Sequence, residues 1–315
     1  LNYSVSGTTQ AGVSHDMAKD QTRMNLSGKF QVGSFDIGLT SFSSGAIQMD
    51  GQSASGTSVV PSADVNMDTK AILARYKINE NFSVIGGIRQ VSLEDSSVTT
   101  LGSTYNIDAT SKTGRVYGLA YERPEIALRL EILRSEKMTF GLNGDAAGGA
   151  LAITGSEMAV PEATTINFQT GIAKDTLLMA SAHRVSWATS QINVLVPGAG
   201  GALDISSDFA DTTSYSLGIG RALSDATAVN VSYSWEAGSG ATSTDPFTMS
   251  NGSKTLSLGV RHTIEDMTLS GGISYTQVGD VNVTHMAAPT VPSGLTATYE
   301  NNSVMSFGVK VGYSF

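Results

Sequence analysis

The side chains with the most chemistry to offer in this chain are cations set among strand-like segments. Arg23, Lys29, Arg75, Arg89, Arg129, Arg184, Arg261 and Lys310 are read on the parity opposite the apolar residues of their own segments, and Asp36, Glu131 and Glu236 join them. Successive side chains of a strand point to opposite faces, so these charges are expected on one common surface. The whole chain is acidic, with 28 Asp+Glu against 19 Lys+Arg. Its acids gather in the segments between, among them Asp50, Asp64, Asp95, Asp145, Asp208, Asp211 and Asp245. A cationic surface in an acidic protein favours an anionic guest such as a carboxylate, because charge acts strongly in a confined, partly dry space. Arg89, Arg129, Arg184, Arg261 and Lys310 are therefore the candidate ligand-binding residues. Arg129 and Glu131 share a face of one segment and can pair, while Arg184 and Arg261 have no acid close in sequence. The competing reading is a structural network in which such groups satisfy one another.

Other chemistry is missing. There is no cysteine, hence no disulfide framework and no thiolate metal site. His15, His183, His262 and His285 are scattered without metal-ligand spacing. No Gly-x-Ser-x-Gly elbow occurs, and Gly218-Ile219-Gly220 sits inside a strand instead of opening a helix. A net charge of −9 argues against nucleic acid as a partner. The expectation is a protein without catalytic site, metal or cofactor.

The elements that must position the cations are strands. The chain closes on Val309-Lys310-Val311-Gly312-Tyr313-Ser314-Phe315, with an apolar residue at every second place. No apolar run approaches the roughly 18–20 residues of a membrane helix, so a mean hydropathy near zero arises from alternation. Apolar outside with polar inside is the pattern of a membrane β-barrel. Short breaks at Gly33-Ser34, Asn79-Glu80-Asn81, Arg123-Pro124-Glu125, Lys174-Asp175, Ser224-Asp225 and Glu265-Asp266 alternate with long ones at 10–21, 44–64, 95–112, 141–162, 192–211, 237–253 and 280–301. Six turns and seven loops give fourteen strands, near 1–9, 22–32, 35–43, 65–78, 82–94, 113–122, 126–140, 163–173, 176–191, 212–222, 227–236, 254–264, 267–279 and 302–315. The predicted fold is all-β: a 14-stranded antiparallel transmembrane β-barrel of outer-membrane type, residues 1–315 forming one domain with long extracellular loops. A soluble sandwich or β-helix fits the alternation of short and long connections poorly.

Lipid is expected against Leu26, Phe30, Ile37, Leu39, Leu128, Ile132, Leu256 and Leu258. Tyr76, Phe82, Tyr121 and Tyr313 near the short turns, and Phe42, Trp187, Trp235 and Tyr275 near the long loops, suggest two aromatic girdles. Fourteen strands enclose more space than wall side chains fill, so water, a plug, inward loops or a ligand must occupy the interior. The loops 141–162 and 192–211 carry apolar clusters, Leu151, Ile153, Met158 and Val160 in the first and Val194, Leu195, Val196 and Leu203 in the second. These, with Leu151, Ile153, Val194 and Val196 foremost, are expected to build a capture site at the outer mouth.

Several stretches resemble one family. Ala71–Ile88 (AILARYKINENFSVIGGI), Tyr117–Ser135 (YGLAYERPEIALRLEILRS), Ile166–Trp187 (INFQTGIAKDTLLMASAHRVSW), Tyr215–Leu223 and Phe307–Phe315 are similar, in order and spacing, to the long-chain fatty acid and hydrocarbon outer-membrane transporters of the FadL/TodX type. The resemblance covers about 65–315 and implies a fourteen-stranded barrel that takes up hydrophobic molecules without a cofactor. It also implies a wall opening near the third strand, where Gly38 stands. Members carry an N-terminal hatch with an Asn-Pro-Ala-type motif, absent from this sequence; because Leu1-Asn2-Tyr3 reads as already inside a strand, a missing segment before it is expected.

The expected function is passive uptake of hydrophobic or amphipathic small molecules, such as long-chain fatty acids or hydrocarbons, through a Gram-negative outer membrane. The expected partners are that small molecule, outer-membrane lipid and lipopolysaccharide, and the barrel-assembly machinery through the terminal strand. A general diffusion porin and a structural or adhesion barrel are the alternatives.

Overall fold

The computed structural model describes residues 2–4, 6–9, 14–16, 18, 21–51, 61–100, 103–146, 148–196, 203–245, 247–284 and 296–314. The terminal Phe315 of the expected assembly signal lies outside them.

Fourteen strands make the wall: β1 (Asn2–Ser4), β2 (Asn25–Val32), β3 (Phe35–Met49), β4 (Ser62–Lys77), β5 (Phe82–Leu93), β6 (Thr110–Arg123), β7 (Leu128–Ser135), β8 (Ala163–Ala173), β9 (Thr176–Val185), β10 (Thr212–Ala222), β11 (Thr227–Glu236), β12 (Ser253–Ile264), β13 (Met267–Val278) and β14 (Ser303–Tyr313). Each pairs antiparallel with the next from β2 to β14. β1 then pairs with β14 through Asn2↔Met305 and Ser4↔Ser303. The strand count and the short-turn positions match the sequence reading, because alternation and turn residues are local signals. The turn after β6 is a 3-10 turn, Pro124–Ile126, closed by Ala127 at φ 52.

Alternation turns the apolar set outward. Leu26, Leu39, Ile72, Ile88, Leu119, Leu256, Leu258, Phe307 and Val309 are all exposed on the outer face. Such a continuous apolar belt has lipid as its solvent. Phe35 stacks near Tyr76 and Phe82 near Tyr121 at the short-turn end, each with ring centroids 4.9 Å apart. Tyr215, Trp235 and Tyr233 form a second aromatic cluster toward the long loops. Two residues depart from the expected girdle: Phe42 pairs with inward Thr69, and Trp187 packs over an internal cavity.

The long connections correct the expectation of plain loops, for much of them is strand. β3 and β4 run on beyond the belt through Ile47↔Val65. Ser96–Thr100, Ser103–Ile107, Met138–Ala146, Leu151–Val160, Ile192–Val196 and Leu203–Ser206 then pair in succession from the upper end of β4. The segment expected at 126–140 is therefore two strands, since the chain leaves the wall at Glu136-Lys137. Met138, Phe140 and Leu142 continue the alternation, and all are buried. With Met49, Val91, Leu93, Tyr105, Ile107 and Ile153 they form a packed cluster across the long-loop end. The hairpin of Met138–Ala146 and Leu151–Val160, the arm, covers its apolar face by packing onto Met49, Val91 and Leu93 at the barrel mouth.

Candidate functional site

The lumen at the short-turn end holds an ion-pair network built from five strands. Asp36 of β3, only 7% exposed, lies within ion-pair distance of Lys29 (3.9 Å), Arg75 (3.9 Å) and Lys77 (3.7 Å). Arg75 of β4 also grips Glu122 of β6, and its Nε donates to Ser83 Oγ at 3.1 Å. Arg129 of β7 pairs with Glu122 at 3.2 Å and with Glu131. Asn167 on the neighbouring strand donates to Glu131 at 3.2 Å. Each acid meets at least one cation, which is what carboxylates removed from bulk water require. Arg129 thus stands in the lumen but is held by two acids. Glu122 is an inward acid outside the set expected from sequence, and its signal is the alternation with outward Tyr121 and Leu119.

An apolar cavity of about 580 Å³ lies above this network, beneath the hairpin arm. Ile47, Met67 and Val91 of the wall line it, with Leu133 of β7. Met158 and Val160 of the arm, with Ile192, close it from above. Trp187 and Phe209 seal the far side, edge to face with centroids 5.5 Å apart. Gln191 ties that lid together: its Nε2 donates to the carbonyls of Trp187 and Phe209, both at 2.9 Å, while its Oε1 accepts from Phe209 N at 2.9 Å and Ser207 Oγ at 2.7 Å.

Polar groups in the cavity wall are few. Arg89 of β5, flanked in register by Ala71 and Gly114, donates from one guanidinium nitrogen to the Glu136 carbonyl at 3.0 Å. Its Nε is buried with no hydrogen-bond partner among the described residues. His183 of β9 also lines the cavity, with its Nδ1 2.8 Å from Thr165 Oγ1. A guest here meets hydrocarbon on most sides, with two arginines in the lining: Arg89, and Arg134, which is paired with Glu162 at 2.8 Å.

The remaining cations are dispersed. Arg261 and Lys310 both pair in register with Ser270 of β13, which sets them in one inward row on the opposite wall. Among the described residues no acid lies within ion-pair distance of either. Arg261 also borders a space of about 940 Å³ at the short-turn mouth. Arg184 is a correction: it faces outward and pairs with Asp211 at 3.3 Å. Inward facing on β9 belongs to Met179, Ser181 and His183, whose register partners are Gln169, Asn167 and Thr165. The sequence was ambiguous there, since Leu177-Leu178-Met179 is apolar on both parities. Arg23, ahead of β2, binds Gln21 at 2.7 Å.

Of the expected loop residues, Ile153 is 1% exposed inside the packed cluster, and Leu151 stands exposed at the hairpin tip. Val194 and Val196 pair in backbone register with Ile205 and Leu203, while their side chains lie outside the described residues. Met158 and Val160 of the same expected cluster do line the cavity, and Ile192, Trp187 and Phe209 join them there. Gly38 is bonded into the wall on both sides, opposite Lys29 and Leu73, so no gap stands at that residue. The register of β3 breaks instead between Ser43 and Gly45, and Ser44 and Gly45 border the cavity. A Cβ on Gly45 would sit 2.7 Å from Met67 Cε.

No family model matches the chain, and no curated protein matches it. Solved structures do. A FadL homologue of Pseudomonas aeruginosa is similar at 12% identity with a TM-score of 0.73, covering 92% of this chain and 76% of that one. The Pseudomonas putida toluene transporter TodX is similar at 11% identity and 0.68, over 99% and 87%. The Ralstonia pickettii toluene transporter TbuX is similar at 12% identity and 0.61, over 99% and 87%. The fold of this chain is the β-barrel fold that these proteins share.

Proposed function

We propose that this protein is an outer-membrane channel for the passive uptake of hydrophobic or amphipathic small molecules. One observation carries the reading: an apolar cavity of about 580 Å³ at the long-loop end, lined by a buried guanidinium, that of Arg89, whose Nε has no partner among the described residues. Its size lies within the range of about 300–1,000 Å³ usual for small-molecule sites. Similar folds belong to proteins named as toluene transporters, whose guest is apolar. Arg89 adds a feature suited to a carboxylate: a hydrocarbon tail fills the cavity while the head group accepts from Nε, replacing water lost on entry. Arg261 and Lys310 offer later cationic stations across the lumen. The ion-pair network places charge along the straight path past Arg75 and Arg129, and the register break at Ser44-Gly45 borders the cavity. A sideways exit would begin there and not at Gly38.

The test is binding of a fluorescent long-chain fatty acid to the purified protein, beside the alcohol of the same length. Arg89→Gln is expected to weaken the acid about ten-fold and leave the alcohol nearly unchanged. Met158→Trp, which fills the cavity, is expected to weaken both. Unchanged binding of both ligands in both variants would remove the cavity from the uptake path, and large ion conductance in planar bilayers would favour a diffusion porin.

A further inference from the structure

We propose that the outer face of the barrel carries a docking site for a phosphorylated, multiply acylated lipid of the outer leaflet, centred on Lys70. The inference rests on the outer-membrane reading but not on the capture cavity. Lys70 faces away from the lumen, since its neighbours Ala71 and Thr69 share the inward parity of Arg75 on β4. Ser41, Lys70, Gln90 and Thr113 are register partners across β3, β4, β5 and β6, forming one polar row on the outside. The next outward row toward the short turns is Gly28, Leu39, Ile72 and Ile88, followed by Arg115. The outward positions of β4 change character at Lys70: Ile72, Ala74 and Tyr76 lie on one side, and Asp68, Asn66 and Asp64 on the other. Lys70 therefore marks the upper edge of the apolar belt, where lipid phosphates sit.

A groove of about 680 Å³ runs down from it, lined by Leu26, Leu39, Ile72 and Ile88. Gly28 keeps it open, for a Cβ there would meet nothing within 4 Å. Of the other outward cations at this end, Arg115 is engaged with Glu136 at 3.9 Å, Arg134 with Glu162 at 2.8 Å and Arg184 with Asp211 at 3.3 Å, while Lys254 of β12, opposite Trp235 and Gln277, lies outside this groove and serves as its control. Among the described residues no acid lies within ion-pair distance of Lys70, and Asp68, the next outward residue, does not reach it. An unengaged cation beside an apolar groove lined by Leu26, Leu39, Ile72 and Ile88 complements a phosphate that carries its own fatty chains. A lysine serves here as a point charge, its methylenes lying along the groove and its ammonium at the interface.

The experiment uses purified protein in detergent, with bound lipid read by native mass spectrometry. The probes are diphosphoryl lipid A, phosphatidylethanolamine and inorganic phosphate. Diphosphoryl lipid A is expected to bind the native protein more tightly than phosphatidylethanolamine does. Lys70→Gln should weaken it about five-fold, as expected for one lysine at an anionic lipid surface. Gly28→Leu should fill the groove and weaken it as well, whereas Lys254→Gln, on a distant strand, should not. Equal lipid A binding by native protein, Lys70→Gln and Gly28→Leu would overturn the site. Displacement of lipid A by inorganic phosphate would also overturn it, leaving a site for free anions. Fatty-acid binding in the cavity stays intact in Lys70→Gln, so failure of the lipid site and failure of the capture reading are told apart.

Discussion

The indole of Trp187 meets the ring of Phe209 edge to face, and the side chain of Gln191 holds both backbones in that arrangement. The pair closes one side of the apolar cavity, so the lid depends on an amide whose oxygen and nitrogen are both engaged. Gln191→Ala is expected to cost about 1–3 kcal/mol locally, the usual loss when partly buried groups are left unpaired. Faster amide exchange of Phe209 and faster release of bound fatty acid are the expected readouts. Unchanged exchange at Phe209 would show that the aromatic contact alone holds the lid.

Glu122 stands between Arg75 and Arg129. Glu122→Gln removes the charge both share and leaves two guanidinium groups facing each other. A loss of about 2 kcal/mol is expected, kept small because the Arg129 side chain is 38% exposed. Urea-induced unfolding from lipid vesicles measures it. The same variant should shift ion selectivity toward anions, since it removes a negative charge from the lumen and frees Arg75 and Arg129 from a shared partner.

The lipid face is open to a direct comparison on one strand. Leu258 is 53% exposed to the outside, and Ser257 beside it points inward. Leu258→Arg is expected to cost about 2–4 kcal/mol if near the bilayer midplane. Ser257→Arg should cost less, because the lumen supplies water. Equal losses on refolding into lipid would contradict the assigned facing.

Asp245, in the long connection after β11, is 1% exposed. Burial raises its carboxyl pKa above the ordinary value; the amides of Phe247 and Asp208 oppose this, and the nearby charge of Asp208 adds to it. A raised carboxyl favours the neutral form in the fold. Its contribution is therefore fullest below the unfolded value of about 3.9 and declines as pH rises through that value toward the folded one. Protection of the Phe247 amide, which donates to Asp245 Oδ1 at 2.8 Å, should fall over that range. In Asp245→Asn the dependence should vanish. A protection factor that rises with pH in the native protein would refute the assignment.

Strand number, turn positions and most of the lipid-facing set were legible in the residues alone. These properties are local: period-two alternation at Leu256, Leu258 and Val260 and turn chemistry at Lys174-Asp175 report themselves within a few positions. Where a segment is apolar on both parities, as around Leu178, the facing was not legible, and Arg184 was misread for that reason. Register with the neighbouring strand decides such cases, and a shift of one residue reverses every side chain.

The long connections were misread as loops because their polar residues masked an alternation that continues through Met138, Phe140 and Leu142. Their apolar face finds its cover only when the barrel mouth is present beneath it. The ion pairs of the lumen were equally out of reach, since Arg75 and Glu122 stand 47 positions apart and meet through the barrel's curvature. The sequence by itself determined a lipid-facing barrel with cations within. The tertiary structure decided which cations are neutralised, which one faces an apolar cavity and which one stands at the lipid edge, because each depends on groups brought together from distant strands.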